Sequence, residues 1–265
     1  MENSPPRIIA HRGASVYAPE NTLRAFKKAV EFGAHWIELD CRLTKDNIPI
    51  VIHDATLYRT TRRTGSVRLL TAWDIHARSI KWIITDPGYT DWIPPTLEEV
   101  LLWARGKVNV YIELKSRERL LIQKVGSMIL ELDLEKEVVV ESFYFGQLQH
   151  FSSLFPSIPI EFLVTCPSKT GIRKALDCWA RGINCNHRWL TVRMVKKIHE
   201  AGLQVGVYTI NSPVAIYRLM SWGVDTIFSD VPDIALNVAN LYASNPDMKR
   251  REVRLLIKKS KMSEP

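Results

Sequence analysis

The chain has 265 residues, 46 % of them hydrophobic, which suits one large α/β domain or two small ones around a sizeable core. No apolar run approaches the roughly 20 residues that span a bilayer, and the opening MENSPPRIIAHRG has neither the basic start nor the long apolar segment of a signal peptide. The net charge of +8 belongs mostly to one end: Lys249 to Lys261 holds seven basic residues and one acidic, leaving only +2 elsewhere, so no basic stripe for nucleic acid is expected on the body.

In chain order, Ile8 to Ala10 reads as a short buried strand that ends at His11-Arg12-Gly13. An imidazole beside a guanidinium is not what ends a strand for packing reasons, and Gly13 permits a sharp turn at positive φ. Thr22 to Phe32 places Leu23, Phe26 and Val30 on one helical face, with Gly33 as its stop. In the strand Trp36 to Asp40 the period of two sends Glu38 and Asp40 to the same side. A turn at 45–47 leads to the strand Ile50 to Asp54, which contains His53, and no helix fits between these two strands.

Residues 55–95 read as an irregular insertion rich in Arg, Thr and Trp. Order returns where Thr96 and Glu99 form a capping-box pattern. The strand Val108 to Lys115 then puts Glu113 and Lys115 on one face. Helices over 119–132, 169–180, 191–201, 214–222 and 234–242 alternate with strands over 138–143, 160–164, 182–186, 204–209 and 225–229. The alternation predicts a parallel sheet, and nine strand candidates without a GxGxxG favour a (β/α)₈ TIM barrel over a dinucleotide fold. One candidate is then a hairpin partner or an extra strand. Residues 1–245 are read as a single barrel domain with the small insertion at 55–95 after the third strand, and 246–265 as a basic tail.

Barrel active sites sit at the C-terminal rim of the strands. His11, Arg12, Glu38, Asp40, His53, Glu113 and Lys115 are all expected there. Three close carboxylates repel one another unless a cation neutralises them, and an all-oxygen set favours Mg²⁺ or Ca²⁺ over zinc. Two histidines supply a general acid and a general base. Arg12 and Lys115 would hold an anion. Together these groups describe phosphodiester cleavage.

The stretches HRGASVYAPENT, IELD, HDATLYRTT, PPTLEEV, IELK, VYTIN and GVDTIFSD, in this order from about Arg7 to Pro232, strongly resemble the glycerophosphodiester phosphodiesterase family. The resemblance implies a (β/α)₈ barrel with a small insertion after the second histidine motif. It implies that His11 and His53 are catalytic, that Glu38, Asp40 and Glu113 hold one divalent cation, and that Arg12 and Lys115 contact phosphate. It also implies hydrolysis of glycerophosphodiesters to glycerol 3-phosphate and an alcohol through a cyclic phosphate. Which histidine is acid and which base stays open. The departures are Arg63 where Gly is frequent, Tyr208 in place of the Trp of WTVN, Tyr144 after Ser-Phe, and Ser229 for Thr. They fall on substrate fit and spare the histidines and carboxylates.

Other readings stand beside these. Lys115 could be a surface ion pair with Glu113. Arg59, Arg62 and Arg63 could grip a head group or be solvated. Tyr17, Trp73, Trp82, Trp92 and Tyr208 are candidates to line a substrate pocket, or to pack the insertion. His35, His76, His150, His187 and His199 read as structural or exposed. Within the tail, Val253, Leu256 and Ile257 share a helical face suited to an anionic membrane surface, against a solvated terminus. The rival functions are a lysophospholipase D and a catalytically silent anion- or membrane-binding barrel. Four cysteines without CxxC or framework spacing read as reduced thiols of a cytoplasmic protein.

Overall fold

The structure, a computed structural model, describes residues 5–80 and 93–245, with backbone alone at 78–80. Its elements run β1 Arg7–Ala10, α1 Leu23–Glu31, β2 Trp36–Leu43, β3 Pro49–Val51, α2 Tyr58–Thr61, α3 Ala72–Ile80, α4 Leu97–Ala104, β4 Asn109–Leu114 and α5 Arg119–Glu131. They continue with β5 Val138–Ser142, α6 Phe145–Leu154, β6 Ile160–Val164, α7 Lys169–Asp177, β7 Gly182–Asn186 and α8 Val192–Glu200. Last come β8 Gln204–Tyr208, α9 Pro213–Met220, β9 Thr226–Ser229 and α10 Pro232–Ser244. Eight strands pair in parallel in the order β1-β9-β8-β7-β6-β5-β4-β2, and the Ala10–Ile37 pairing of β1 with β2 closes the ring. This is the (β/α)₈ barrel that the alternation predicted.

The ninth strand candidate is a hairpin partner. β3 runs antiparallel to β2, with Cys41 opposite Val51 and Leu43 opposite Pro49. Their turn is closed by the Thr44 amide donating to the Ile48 carbonyl at 3.1 Å, with Asn47 at φ 62. The strand stops at Val51, so His53 stands in the loop beyond it rather than inside a strand.

Caps and spacing set the helices. Thr22, Thr96, Ser168 and Thr191 each accept from the amide three residues on, and Thr96 with Glu99 forms the complete capping box. The described part of the insertion, residues 55–80 and 93–95, is more regular than the loop reading expected. It carries α2, a 3₁₀ turn at Val67–Leu69 and α3, built over its own small core of Ile50, Ile52, Leu57, Val67 and Ile75. Helix α6 was not anticipated at all. Its sequence FGQLQHFSSL is rich in aromatic and Ser residues of weak helix propensity, and burial of Leu148 and Phe151 supplies what propensity does not.

The strand alternation decides where the chemistry sits. Ile37, Leu39, Cys41, Val110, Ile112 and Leu114 join the large apolar layer between sheet and helices. Glu38, Asp40 and Glu113 lie on the other face, toward the barrel axis. Ile9, Tyr111, Val139 and Phe228 form a separate cluster there. The basic tail, Trp82 and Trp92 lie outside the described residues. Among those residues no helix is long and apolar enough to cross a membrane.

Candidate active site

The end of β1 is shaped by backbone strain. Arg12 has φ 56 and Gly13 φ 81, and a Cβ on Gly13 would lie 2.6 Å from the Ala25 carbonyl carbon of α1. Only glycine tolerates that approach at that φ. The turn aims the Arg12 amide at Glu38, donating to Oε2 at 2.9 Å.

The acidic triad forms as expected. One carboxylate oxygen from each of Glu38, Asp40 and Glu113 lies within 4.8 Å of the others. Asp40 and Glu113 are direct partners across β2 and β4, so the sheet register itself sets their approach. Asp40 is fully buried, and its Oδ2 accepts from Asn21 Nδ2 at 2.7 Å. The Arg12 Nε lies 3.1 Å from the same oxygen, and Lys115 Nζ reaches Glu113 at 2.9 Å and Asp40 Oδ1 at 3.5 Å.

Burial first, then the neighbouring Asp40 charge, pushes Glu38 up to about 8 and Glu113 up to about 7. Asp40 goes the other way: its burial is outweighed by Arg12 and Lys115, which hold it below its ordinary value. Three carboxylates that cannot all ionise together, and a buried Asp40 Oδ1 with no hydrogen-bond partner, fit a divalent cation. The donor set is all oxygen.

Two histidines flank the triad, each fixed by a carboxylate on Nδ1. His11 Nδ1 meets Asp230 Oδ1 at 2.7 Å, leaving Nε2 3.9 Å from Glu38. His53 Nδ1 meets Asp54 Oδ1 at 2.6 Å. Burial disfavours the imidazolium at both. At His11, Glu38 and Asp230 outweigh it and raise the group, whereas at His53 burial prevails and lowers it. Asp230 is further held by Ser15 at 3.1 Å and Asn211 at 2.7 Å, and is depressed to about 2 despite its burial, chiefly through the bond to His11.

His11, Arg12, Glu38, His53, Glu113, Lys115 and Tyr208 all border one cavity of about 470 Å³. Asp40 sits directly behind it within the triad. The Tyr208 hydroxyl donates to the Val164 carbonyl at 2.9 Å, and its ring meets Phe143 edge-on at 5.9 Å. Lys115 pairs with Glu113, but the pair is largely buried at the cavity wall and does not lie on the surface.

Several expectations are refined or corrected. His187 keeps a structural contact, Nδ1 to the Tyr208 carbonyl at 3.3 Å, and also borders the cavity beside Arg188. Arg59 is committed to Glu20 and Asp54 through all three guanidinium nitrogens, which leaves a single Nη1 N–H for any head group. Tyr17 instead donates to Asp233 at 2.7 Å and packs on Phe32 away from the cavity, and Trp73 is 75 % exposed on α3. Asp54, Asp230 and Asn21 were missed. Asp54 was signalled by adjacency to His53 and Asp230 by its place just after a strand, but nothing local marks which carboxylate will reach a given imidazole.

Residues 11–234 match the sequence profile described as the glycerophosphoryl diester phosphodiesterase family. A glycerophosphodiester phosphodiesterase of Bacillus altitudinis is 34 % identical over 239 residues, covering 88 % of this chain and 97 % of its own. Another from Bacillus subtilis is 32 % identical over 260 residues, covering 90 % and 89 %. Among solved structures, a phosphodiesterase from Oleispira antarctica in complex with the product sn-glycerol-3-phosphate superposes with a TM-score of 0.77 at 25 % identity, covering 89 % of this chain and 97 % of that one. The chain belongs to the glycerophosphoryl diester phosphodiesterase family.

Proposed function

We propose that this protein hydrolyses glycerophosphodiesters such as glycerophosphocholine and glycerophosphoethanolamine to glycerol 3-phosphate and an alcohol, with residues 1–245 as a single catalytic domain. The observation that carries the reading is the pair of Asp-held histidines on either side of an acidic triad in one cavity. Its relatives from Bacillus bear the name of this activity, and the Oleispira neighbour holds the expected product.

Glu38, Asp40 and Glu113 would hold one divalent cation, Mg²⁺ or Ca²⁺, whose chemistry is to polarise a phosphoryl oxygen. Arg12 and Lys115, at the cavity wall, orient the phosphate by charge-assisted hydrogen bonds. Of His11 and His53, one takes the proton of the glycerol hydroxyl as its oxygen bonds to phosphorus, and the other gives a proton to the departing alcohol oxygen. The cyclic phosphate so formed is opened by water with the two roles exchanged, which regenerates both protonation states. Asp230 and Asp54 fix each ring so that Nε2 is the nitrogen left to exchange protons. Tyr208 bounds the space for the substrate.

The test is glycerol 3-phosphate release from glycerophosphocholine with EDTA, Mg²⁺ or Ca²⁺. Cation-dependent release that falls roughly 10²- to 10⁴-fold in His11→Ala is expected. No release with any cation from glycerophosphocholine or from any other glycerophosphodiester tried would overturn the reading, and far faster cleavage of lysophosphatidylcholine would replace it with a lysophospholipase D.

A further inference from the structure

The cavity shares one wall residue with a second opening. The residue is Phe143, and the opening is a cleft of about 510 Å³ on the outer side of the rim, between the starts of α5 and α6. The charge of this cleft is one-sided. Arg117, Arg119 and Lys174 line it, and no carboxylate does. Glu118 lies between the two arginines in sequence but pairs away from them with Arg68 of the insertion at 3.5 Å. Among the described residues Arg117, Arg119 and Lys174 have no carboxylate within 4.0 Å, and neither has Arg188 on the cavity side of Phe143. With the chain outside the tail only +2, composition does not impose this clustering.

Two of the four aromatic rings that line the cleft already carry cations, and the other two, Phe143 and Phe162, meet the rings of Tyr208 and Phe145 edge-on. The Arg117 guanidinium lies 4.1 Å from the Tyr144 ring centroid, and Lys174 Nζ lies 5.7 Å from that of Phe145. An aromatic cage for a quaternary ammonium needs open ring faces and tolerates no resident cation. The arrangement here is the reverse. It holds positive charge in place against stacked rings, with anion-binding donors facing the groove.

We propose that this cleft, with Arg188, is a subsite for a negatively charged group on the alcohol half of the substrate, so that the preferred diesters carry a further phosphate or carboxylate on the alcohol. The inference rests on the diesterase reading of the cavity. A diester with its phosphorus at the triad and its glycerol held in the cavity sends its variable alcohol across Phe143, where charge rather than shape decides affinity. The reaction is the same hydrolysis, with the same water and the same leaving proton.

Three diesters separate the possibilities: glycerophosphoglycerol, the same diester with a phosphate on the second glycerol, and glycerophosphocholine. Affinity is measured by calorimetry on His11→Ala, and turnover on the unaltered protein. The phosphate-bearing diester should bind about tenfold more tightly than glycerophosphoglycerol, with glycerophosphocholine weakest. The advantage should shrink as salt is raised, because the charges are exposed. The ratio between the first two should collapse toward one in Arg117→Gln/Arg119→Gln and in Arg188→Gln, and largely persist in Arg117→Lys/Arg119→Lys. All of these side chains are exposed, so folding is not at stake. Equal affinity for charged and uncharged alcohols overturns the subsite whatever the turnover. Cleavage of none of the three, with the binding preference intact, removes the diesterase reading and leaves an anion-binding cleft.

Discussion

Arg59 grips Asp54 with two nitrogens, Nε to Oδ2 at 2.6 Å and Nη2 to Oδ1 at 3.2 Å, and Asp54 in turn holds His53. The same guanidinium meets Glu20 at 2.6 and 2.8 Å, and Glu20 also accepts from Arg12 at 2.9 Å. One insertion residue thus ties the orientation of His53 to that of Arg12. Lysine cannot reproduce the double fork. Arg59→Lys should lower kcat roughly 10- to 100-fold, the effect of losing hydrogen bonds of ~1.5–3 kcal/mol to charged groups, with a smaller change in KM. Steady-state kinetics beside a melting curve checks this. A fall in Tm with kcat intact would make Arg59 a loop anchor only.

The triad predicts a stability effect of metal that needs no substrate. A cation that binds the folded chain and not the unfolded one raises Tm with its concentration. Addition of Mg²⁺ or Ca²⁺ should therefore raise Tm, and EDTA should reverse the rise. Glu38→Gln should weaken the response by removing one anionic donor while keeping an oxygen for the Arg12 amide. Thermal melts by circular dichroism read this out, and an unchanged Tm at millimolar cation would remove the site.

The pH dependence of the cation-free protein has a definite sign. Glu38 is raised from 4.5 to about 8 and Glu113 from 4.5 to about 7, so between these values the folded state binds more protons than the unfolded one. Stability then falls as pH rises from about 4.5 toward about 8, because protons must leave the buried carboxyls. Asp230, depressed to about 2, acts oppositely: its contribution is present above 3.8 and is lost as pH falls through about 2. Urea midpoints in EDTA should decline from pH 5 to pH 8. The decline should be shallower in Glu38→Gln and shallower still with saturating cation, the remainder belonging to Glu141, which burial also raises and which lies outside the triad.

Strand alternation makes much of this legible in the sequence alone. Once Glu38 and Asp40 alternate with Ile37 and Leu39 between apolar elements, the carboxylates have only the barrel axis to face. The expected catalytic, metal and phosphate residues therefore met in one place. Pairings across long separations were not legible. His11 is 219 residues from Asp230, and neither neighbourhood encodes the other. Arg59 looked free because loop arginines usually are. Helix α6 was hidden because tertiary burial of Leu148 and Phe151, not propensity, makes it a helix.

The barrel interior yields a last prediction away from the rim. Asn184, fully buried, donates from Nδ2 to both Glu141 at 2.7 Å and Glu161 at 2.8 Å, so one amide bridges two inward carboxyls. Its Oδ1 occupies the space beside Gly206, where a Cβ would sit only 1.8 Å from that oxygen. Real Cβ atoms do not approach so closely, and the amide cannot yield without breaking its bridge. Gly206→Ala should cost about 2–4 kcal/mol, the range for overpacking combined with loss of a buried polar link. Urea unfolding measures it. A variant within 0.5 kcal/mol of the unaltered protein would mean that Asn184 can turn aside freely and that the Glu141–Asn184–Glu161 bridge is not a fixed part of the core.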